Sequence, residues 1–235
     1  MSIPGDASTT SQGHFSNPAM VATYADDTPR KVPGLADLHR MTMLLLSERA
    51  PQAADILVVG AGGGMELKAM ADARRDWVFT GVDPSAAMLD LARRHIAPFD
   101  NRIDLIEGTV GAAPPGPFDG AACLLTLHFL DKSERLLTLK EIHRRLKPGA
   151  RLVVAHHSVP SGGEERWLAR SAAFADRAGV DWGKAMASAA GMVGRLPLLS
   201  VAEEEDLLCE AGFSDVELFY AAFSFRGWAA TASRA

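Results

Sequence analysis

Ile56-Leu57-Val58-Val59-Gly60-Ala61-Gly62-Gly63-Gly64 decides the fold class of this chain. Its first four residues are aliphatic and mostly β-branched, too few for a helix, and read as a short buried strand. Glycines break the run, and a helical stretch from Met65 to about Arg74 follows. Strands and helices keep alternating downstream. Trp77 to Val82 reads as strand two and ends at Asp83-Pro84-Ser85, where Ser85 caps a helix carrying Met88, Leu89, Leu91 and Ala92. Ile103 to Ile106 and Phe118 to Thr126 read as strands three and four. A helix from about Lys132 to Leu146 ends at Lys147-Pro148-Gly149, and Leu152 to Ala155 is strand five. Five buried-looking strands separated by helices predict an α/β fold, a doubly wound sheet with mostly parallel strands.

Beyond strand five the alternation stops. Residues 161–199 are largely helical, with an apolar face supplied by Trp167, Leu168, Phe174, Met186, Met192 and Val193. Another helix runs from about Ala202 to Ala211 and is closed by Gly212. Val216 to Tyr220 and Phe223 to Phe225 then lie too close together for a helix between them, so they pair as a C-terminal antiparallel hairpin and bring the sheet to seven strands. Upstream, Leu35, Leu38, Met41, Leu45 and Leu46 recur at helical spacing between Pro33-Gly34 and Pro51. The organisation read from this is one domain over residues 20–235, with a helical lid at 20–50 and a helical cap inserted at 161–199. Residues 1–19, rich in Ser, Thr, Gly and Asn, read as a mobile leader.

A chain of 235 residues suits one domain, and 48% hydrophobic with 23% charged residues supplies a core rather than a disordered polymer. No apolar stretch approaches the roughly 18 residues that span a bilayer. The start, Met1-Ser2-Ile3-Pro4-Gly5-Asp6, lacks the basic-then-apolar order of a signal peptide. The chain therefore reads as cytoplasmic, without a membrane partner. A net charge of -5 without a basic block argues against broad affinity for nucleic acid. Cys123 and Cys209 both sit in apolar runs and read as buried thiols. No histidine-carboxylate spacing suggests a metal, and Glu203-Glu204-Glu205-Asp206 reads as a solvated helix start.

An open parallel sheet binds its ligand at the carboxyl ends of its strands, near the topological switch point. Gly60 to Gly64 form the first such end. Glycine permits the tight turn and lets a ligand approach the main chain where a Cβ would collide. Asp83, at the tip of strand two, is the second. An ionised carboxylate there accepts hydrogen bonds from both hydroxyls of a ribose. Either feature alone has a plainer explanation, a tight turn or a charge at a helix start; together they point to a nucleoside. Dinucleotide dehydrogenases and S-adenosylmethionine (SAM) enzymes share the pair, but the dinucleotide fingerprint wants a glycine three positions after Gly62, where this chain has Met65.

From about Leu35 to Trp228 the chain resembles the class I SAM-dependent methyltransferases. The resemblance rests on Ile56 to Gly64, Gly81-Val82-Asp83-Pro84-Ser85-Ala86-Ala87-Met88, Ile106-Glu107-Gly108-Thr109, Leu146-Lys147-Pro148-Gly149 and Ala211-Gly212-Phe213, in that order. It implies a Rossmann-like sheet, SAM as cofactor and S-adenosylhomocysteine as product. It also implies that Gly60, Ala61, Gly62 and Gly64 hold the methionine part and that Asp83 takes the ribose. Pro84 and Met88 then flank the adenine, Gly108, Thr109 and Val110 close over the ring edge, and Leu125, at the end of strand four, belongs to the same site. Two positions depart from the family. It often has an acid two residues before the first glycine, here Val58, and an aspartate where this chain has Thr109. Val58 cannot hydrogen-bond an ammonium group. Glu66, in the first turn of the next helix, is a substitute acid, though its plainer reading is an ordinary helix-start charge.

A narrower likeness is to the synthases that make carboxy-SAM for tRNA wobble modification. It is carried by Val32-Pro33-Gly34, Asp83 to Met88, Thr126-Leu127-His128-Phe129-Leu130 and Ser133-Glu134-Arg135. Those enzymes place a tyrosine and an arginine, as anchors for the added carboxylate, where this chain has, by position, Leu35 and Leu207. An unpaired buried carboxylate costs several kcal/mol, so methyl transfer to a small-molecule oxygen or nitrogen is the leading reading. Carboxy-SAM synthesis and non-catalytic SAM binding are its rivals. An apolar cap and an acidic net charge favour a small acceptor over a polyanion, and a homodimer is compatible with such a chain. Histidine has a suitable pKa to take the acceptor's proton. The candidates are His128 after strand four and His156 or His157 after strand five, only one of which can face the cleft on a regular strand. Tyr24, His39 and Arg40 lie on the expected lid, and Trp182, Met186 and Met192 on the expected cap.

Overall fold

The computed structural model describes residues 18–160 and 162–234. Residues 1–17 of the expected leader lie outside it, and Pro18 and Ala19 already belong to the first helix. The elements are α1 (Pro18–Lys31), α2 (Leu35–Ser47), β1 (Ala54–Val59), α3 (Met65–Ala73), β2 (Trp77–Asp83), α4 (Ala86–Ile96), β3 (Ile103–Glu107), β4 (Phe118–Leu124), α5 (Lys132–Arg145) and β5 (Leu146–His157). They are followed by α6 (Glu164–Ala175), α7 (Trp182–Val193), α8 (Val201–Glu210), β6 (Phe213–Ala222) and β7 (Phe225–Ala232).

The seven strands form one sheet in the order β3-β2-β1-β4-β5-β7-β6. β1 to β5 pair in parallel, and β7 runs antiparallel to both its neighbours. The chain leaves β1 toward β2 on one side and returns to β4 on the other, which puts the switch point at the carboxyl ends of β1 and β4. Alternation along β1 splits the core in two. Leu57 and Val59 pack with Leu139, Ile142, Leu207, Leu208 and Trp228 on one face. Ile56 and Val58 pack with Leu46, Leu67, Met70 and Trp77 on the other. Local chemistry starts the helices. The Ser85 hydroxyl accepts from the Met88 N–H at 3.3 Å, while Asp131 with Glu134 and Ser200 with Glu203 form capping boxes.

Two strands outrun their sequence signal. β5 begins at Leu146, directly after α5, so Lys147-Pro148-Gly149 lies inside the strand rather than in a loop. β7 continues through Gly227, Ala229 and Ala230, small residues with no strand signature of their own, as far as Ala232, and is buried from end to end. It lies between β5 and β6 with helices on both faces, so neighbours rather than propensity make it a strand. Phe223 and Ser224 form the hairpin turn instead of opening β7, with Phe223 at φ 53°. The insertion folds as the helix pair α6–α7 around Leu168, Ala169, Ala185 and Ala189. α1 packs against α4 and α6. Cys123 is buried, its thiol pushed up to about 12 by burial, but Cys209 is exposed on the solvent face of α8.

Candidate functional site

The glycine turn and the tip of β2 are held together by one side chain. Asp83 Oδ2 accepts from the Gly62 N–H at 3.0 Å and Oδ1 from the Ser85 N–H at 2.8 Å. Burial raises its pKa, and these two N–H donors oppose that shift. Two carboxylate oxygens offer about four acceptor positions, so capacity for ribose hydroxyls remains after both bonds. The room above the glycines is used by the protein itself. A Cβ on Gly62 would sit 2.6 Å from Asp83 Oδ2 and 2.9 Å from Met88 Cβ, and one on Gly63 would sit 2.7 Å from the Tyr24 ring. Gly60, with φ 77°, is closed against Thr126. Ala61 is fully buried among Val58, Leu67 and Met70, and Gly64, with φ 67°, packs on the backbone of Ala92. The glycines thus shape the turn and admit Asp83, Met88 and Tyr24.

The remaining expected cofactor residues group around this turn with one divergence. Pro84 follows Asp83, and Met88 is buried with Val21, Leu91 and Tyr24. The Gly108 N–H donates to the Asp83 carbonyl at 3.0 Å, with Gly108 at φ 143°, which carries Thr109 past the β2 tip. Val110 points into the main core with Leu57, Val59 and Val82 instead of forming a wall of the cleft. Leu125 has the left-handed φ of 56° and donates its N–H to the Ala155 carbonyl at 2.6 Å. A branched residue in that conformation is strained, and the turn it makes aims the segment after β4 into the cleft.

A cavity of about 1090 Å³ lies between the ends of β4 and β5, α1 and the cap. Leu125, His128, His157 and Phe225 line it from the sheet; Tyr24, Asp27 and Val32 from α1 and its end; Ser171, Met192 and Leu196 from the cap side. Tyr24 touches both the glycine turn and this cavity and is their shared wall. Of the other expected lid and cap residues, His39 is buried inside α2, where burial lowers its pKa to about 4. Arg40 faces solvent, and Trp182 and Met186 are on the outside of α7, 55% and 39% exposed. Ala185, Ala189 and Met192 occupy the inner face of α7, so its other face had to be the solvent side.

His128 sits in a short 3-10 turn, Leu127–Phe129, and is buried. Burial first, then His157, His156 and Arg135, hold its pKa well below the ordinary histidine value. Its Nδ1 has no hydrogen-bond partner among the described residues, and its ring meets the edge of His157 at 4.9 Å. His157, not His156, faces the cavity. Its Nδ1 bonds the Ser224 hydroxyl at 2.8 Å, which meets the Ser171 hydroxyl of α6 at 2.6 Å. Its ring stacks on Phe225 at 4.0 Å, and burial lowers its pKa to about 3. His156 faces the opposite side of the strand, against Trp228 and Glu204. Its Nε2 is 2.9 Å from Glu204 Oε1, yet the angle is outside hydrogen-bond geometry. Glu204 is therefore not a solvated helix-start acid. It is 2% exposed and bonds Arg135, whose guanidinium also donates to the carbonyls of Leu130 and Pro197. The sequence signal for this pair was only that one member of the acidic run falls on the inner face of α8. The Ser224–Ser171 link had none.

Residues 56–149 match the sequence model of the methyltransferase domain family. A carboxy-S-adenosyl-L-methionine synthase of Campylobacter lari is 29% identical over 142 residues, 60% of this chain and 61% of that protein. The chain thus spans less than two thirds of the length of that curated relative. Among solved structures, a putative O-methyltransferase from Nostoc punctiforme superposes with a TM-score of 0.69 at 21% identity, covering 97% of this chain and 64% of that one. Human N-acetylserotonin methyltransferase in complex with SAM gives 0.67 at 15% identity, covering 98% and 61%. Residues 56–149 thus match a methyltransferase domain, and the chain as a whole has the fold of the class I SAM-dependent methyltransferases.

Proposed function

We propose that this protein moves the methyl group of SAM to an oxygen or nitrogen of a small molecule held in the cavity under the cap. The observation that carries the reading is that cavity, with a neutral buried histidine, His128, at its floor and an Nδ1 without a partner among the described residues. SAM brings a methyl group already activated by its sulfonium charge. The chain's own work is then to hold two reactants in line and to exclude water. Asp83, braced by the N–H groups of Gly62 and Ser85, offers acceptors to the ribose hydroxyls. His128, uncharged at neutral pH, takes the proton of the acceptor O–H or N–H as it is methylated. Val32, Phe129, Met192 and Leu196 supply apolar walls, and a net charge of -5 suits an uncharged acceptor better than a polyanion.

The test is a screen for transfer of labelled methyl from SAM to small phenols, alcohols and amines, followed by His128→Ala on the best acceptor. The expected loss is about a hundredfold to ten-thousandfold in kcat with SAM affinity unchanged. Retention of full activity would remove His128 from the chemistry. The Campylobacter relative favours a second reading, carboxy-SAM synthesis. Leu35 and Leu207 stand against it, because both are packed in the core and neither lines the cavity. Mass analysis of nucleoside released from the purified protein separates the two: a species heavier than SAM by one carboxyl group would support the synthase.

A further inference from the structure

Glu66 is a buried acid without a cation. It occupies the first turn of α3, directly after the glycine turn, and is 6% exposed. Among the described residues no Lys, Arg or His comes within ion-pair distance of it. The groups coupled to it electrostatically are Asp83 at the tip of β2, Tyr24 on α1 and Cys123 on β4, none of which is a cation. His95, on the neighbouring α4, directs its Nδ1 to the Gly63 carbonyl instead. The amide of Glu66 itself favours the carboxylate, but desolvation outweighs it and lifts the pKa to about 7. Val58, on the strand beneath, is sealed among Leu67 and Met70 and leaves no acid on β1 at this turn.

A buried carboxyl of this kind is stabilised when a ligand brings the missing positive charge. The cofactor's methionine part carries two, an ammonium and a sulfonium, and Asp83, the residue that fixes its ribose, is electrostatically coupled to Glu66. Resting on the SAM reading above, we propose that Glu66 is the anionic partner of the cofactor's cationic methionine part. It is thereby the residue that distinguishes SAM from neutral adenosine thioethers. The bland alternative, a helix-start acid stabilised by solvent and dipole, does not fit a side chain that solvent hardly reaches.

Calorimetric titration of the full chain and of Glu66→Gln with SAM and with 5′-methylthioadenosine tests this. The latter probe keeps adenosine and sulfur but has no charge. SAM binding falls about tenfold to a hundredfold in the Gln variant, the scale of a lost bond to a charged group, while binding of the neutral probe changes less than twofold. Unchanged SAM affinity, or equal losses for both ligands, overturns the assignment. Wild-type protein that binds the neutral nucleoside but not SAM overturns it too, and failure to bind either sinks the cofactor reading with it. Should the variant not fold, wild-type protein supplies the answer. Its affinity for SAM exceeds its affinity for 5′-methylthioadenosine by at least about tenfold and the margin narrows with added salt, and equal affinities for the two ligands overturn the proposal.

Discussion

Asp83 does two things with one carboxylate. It braces the glycine turn through Gly62 and the start of α4 through Ser85, and on the proposed SAM reading its remaining acceptor positions take the ribose hydroxyls. Asp83→Ala removes all of this at once. SAM and 5′-methylthioadenosine both keep the ribose, so both are expected to lose at least roughly tenfold in affinity. That parallel loss separates Asp83 from Glu66, and calorimetry in which only SAM suffered would contradict the ribose role. The bond from the Gly62 N–H to Asp83 came only with the fold, whereas the glycine turn and the strand-tip acid, both local features, were legible in the sequence. Which histidine of His156-His157 faces the cavity was not, since their alternation says only that they differ. The ladder pairing His157 with Phe225 and His156 with Arg226 chose between them.

At the scale of elements, α5 and α8 are tied by charge where no solvent reaches. Arg135 is 0% and Glu204 2% exposed. Taking away one member leaves the other charge buried and unanswered, which costs about 3–5 kcal/mol. Glu204→Ala should therefore unfold at markedly lower urea than wild type. Trp182→Ser, on the solvent face of α7, should shift stability by no more than about 0.5 kcal/mol. Similar midpoints for the two variants would mean that the pair contributes little. Sequence periodicity located α8 and α7 but not the partners their faces meet. An acidic run and an apolar stripe look alike whether the other side is water or protein. Glu204 went inward because Arg135 arrives there from α5, and Trp182 stayed outside because Ala185, Ala189 and Met192 close the cavity side.

Across the whole molecule, buried titratable groups set an acid limit on the fold. His39 and His157 have native pKa values of about 4 and 3 against an unperturbed 6.5, so the unfolded chain binds more protons between those limits. Stability from these groups is full above pH 6.5 and is lost as pH falls toward 3. Glu66 acts in the opposite direction, its native value of about 7 lying above the usual 4.5, so its ionisation erodes stability as pH rises from 4.5 to 7. Two histidines outweigh one glutamate, and the melting temperature should fall below pH 6. His157→Gln should flatten that fall, and a melting temperature constant from pH 4 to 7 would contradict the buried neutral histidines. The sequence by itself determined the alternating elements, their caps, the glycine turn and the strand-tip acid, because each depends on residues a few positions apart. Only the tertiary structure decided the identity of β7, the inward turn of Glu204, the exposure of Cys209, the burial of Glu66 and the choice of His157. Those depend on what lies across the sheet or under the cap, and burial, which shifts each pKa and creates each cavity, is a property of packed neighbours that no local pattern encodes.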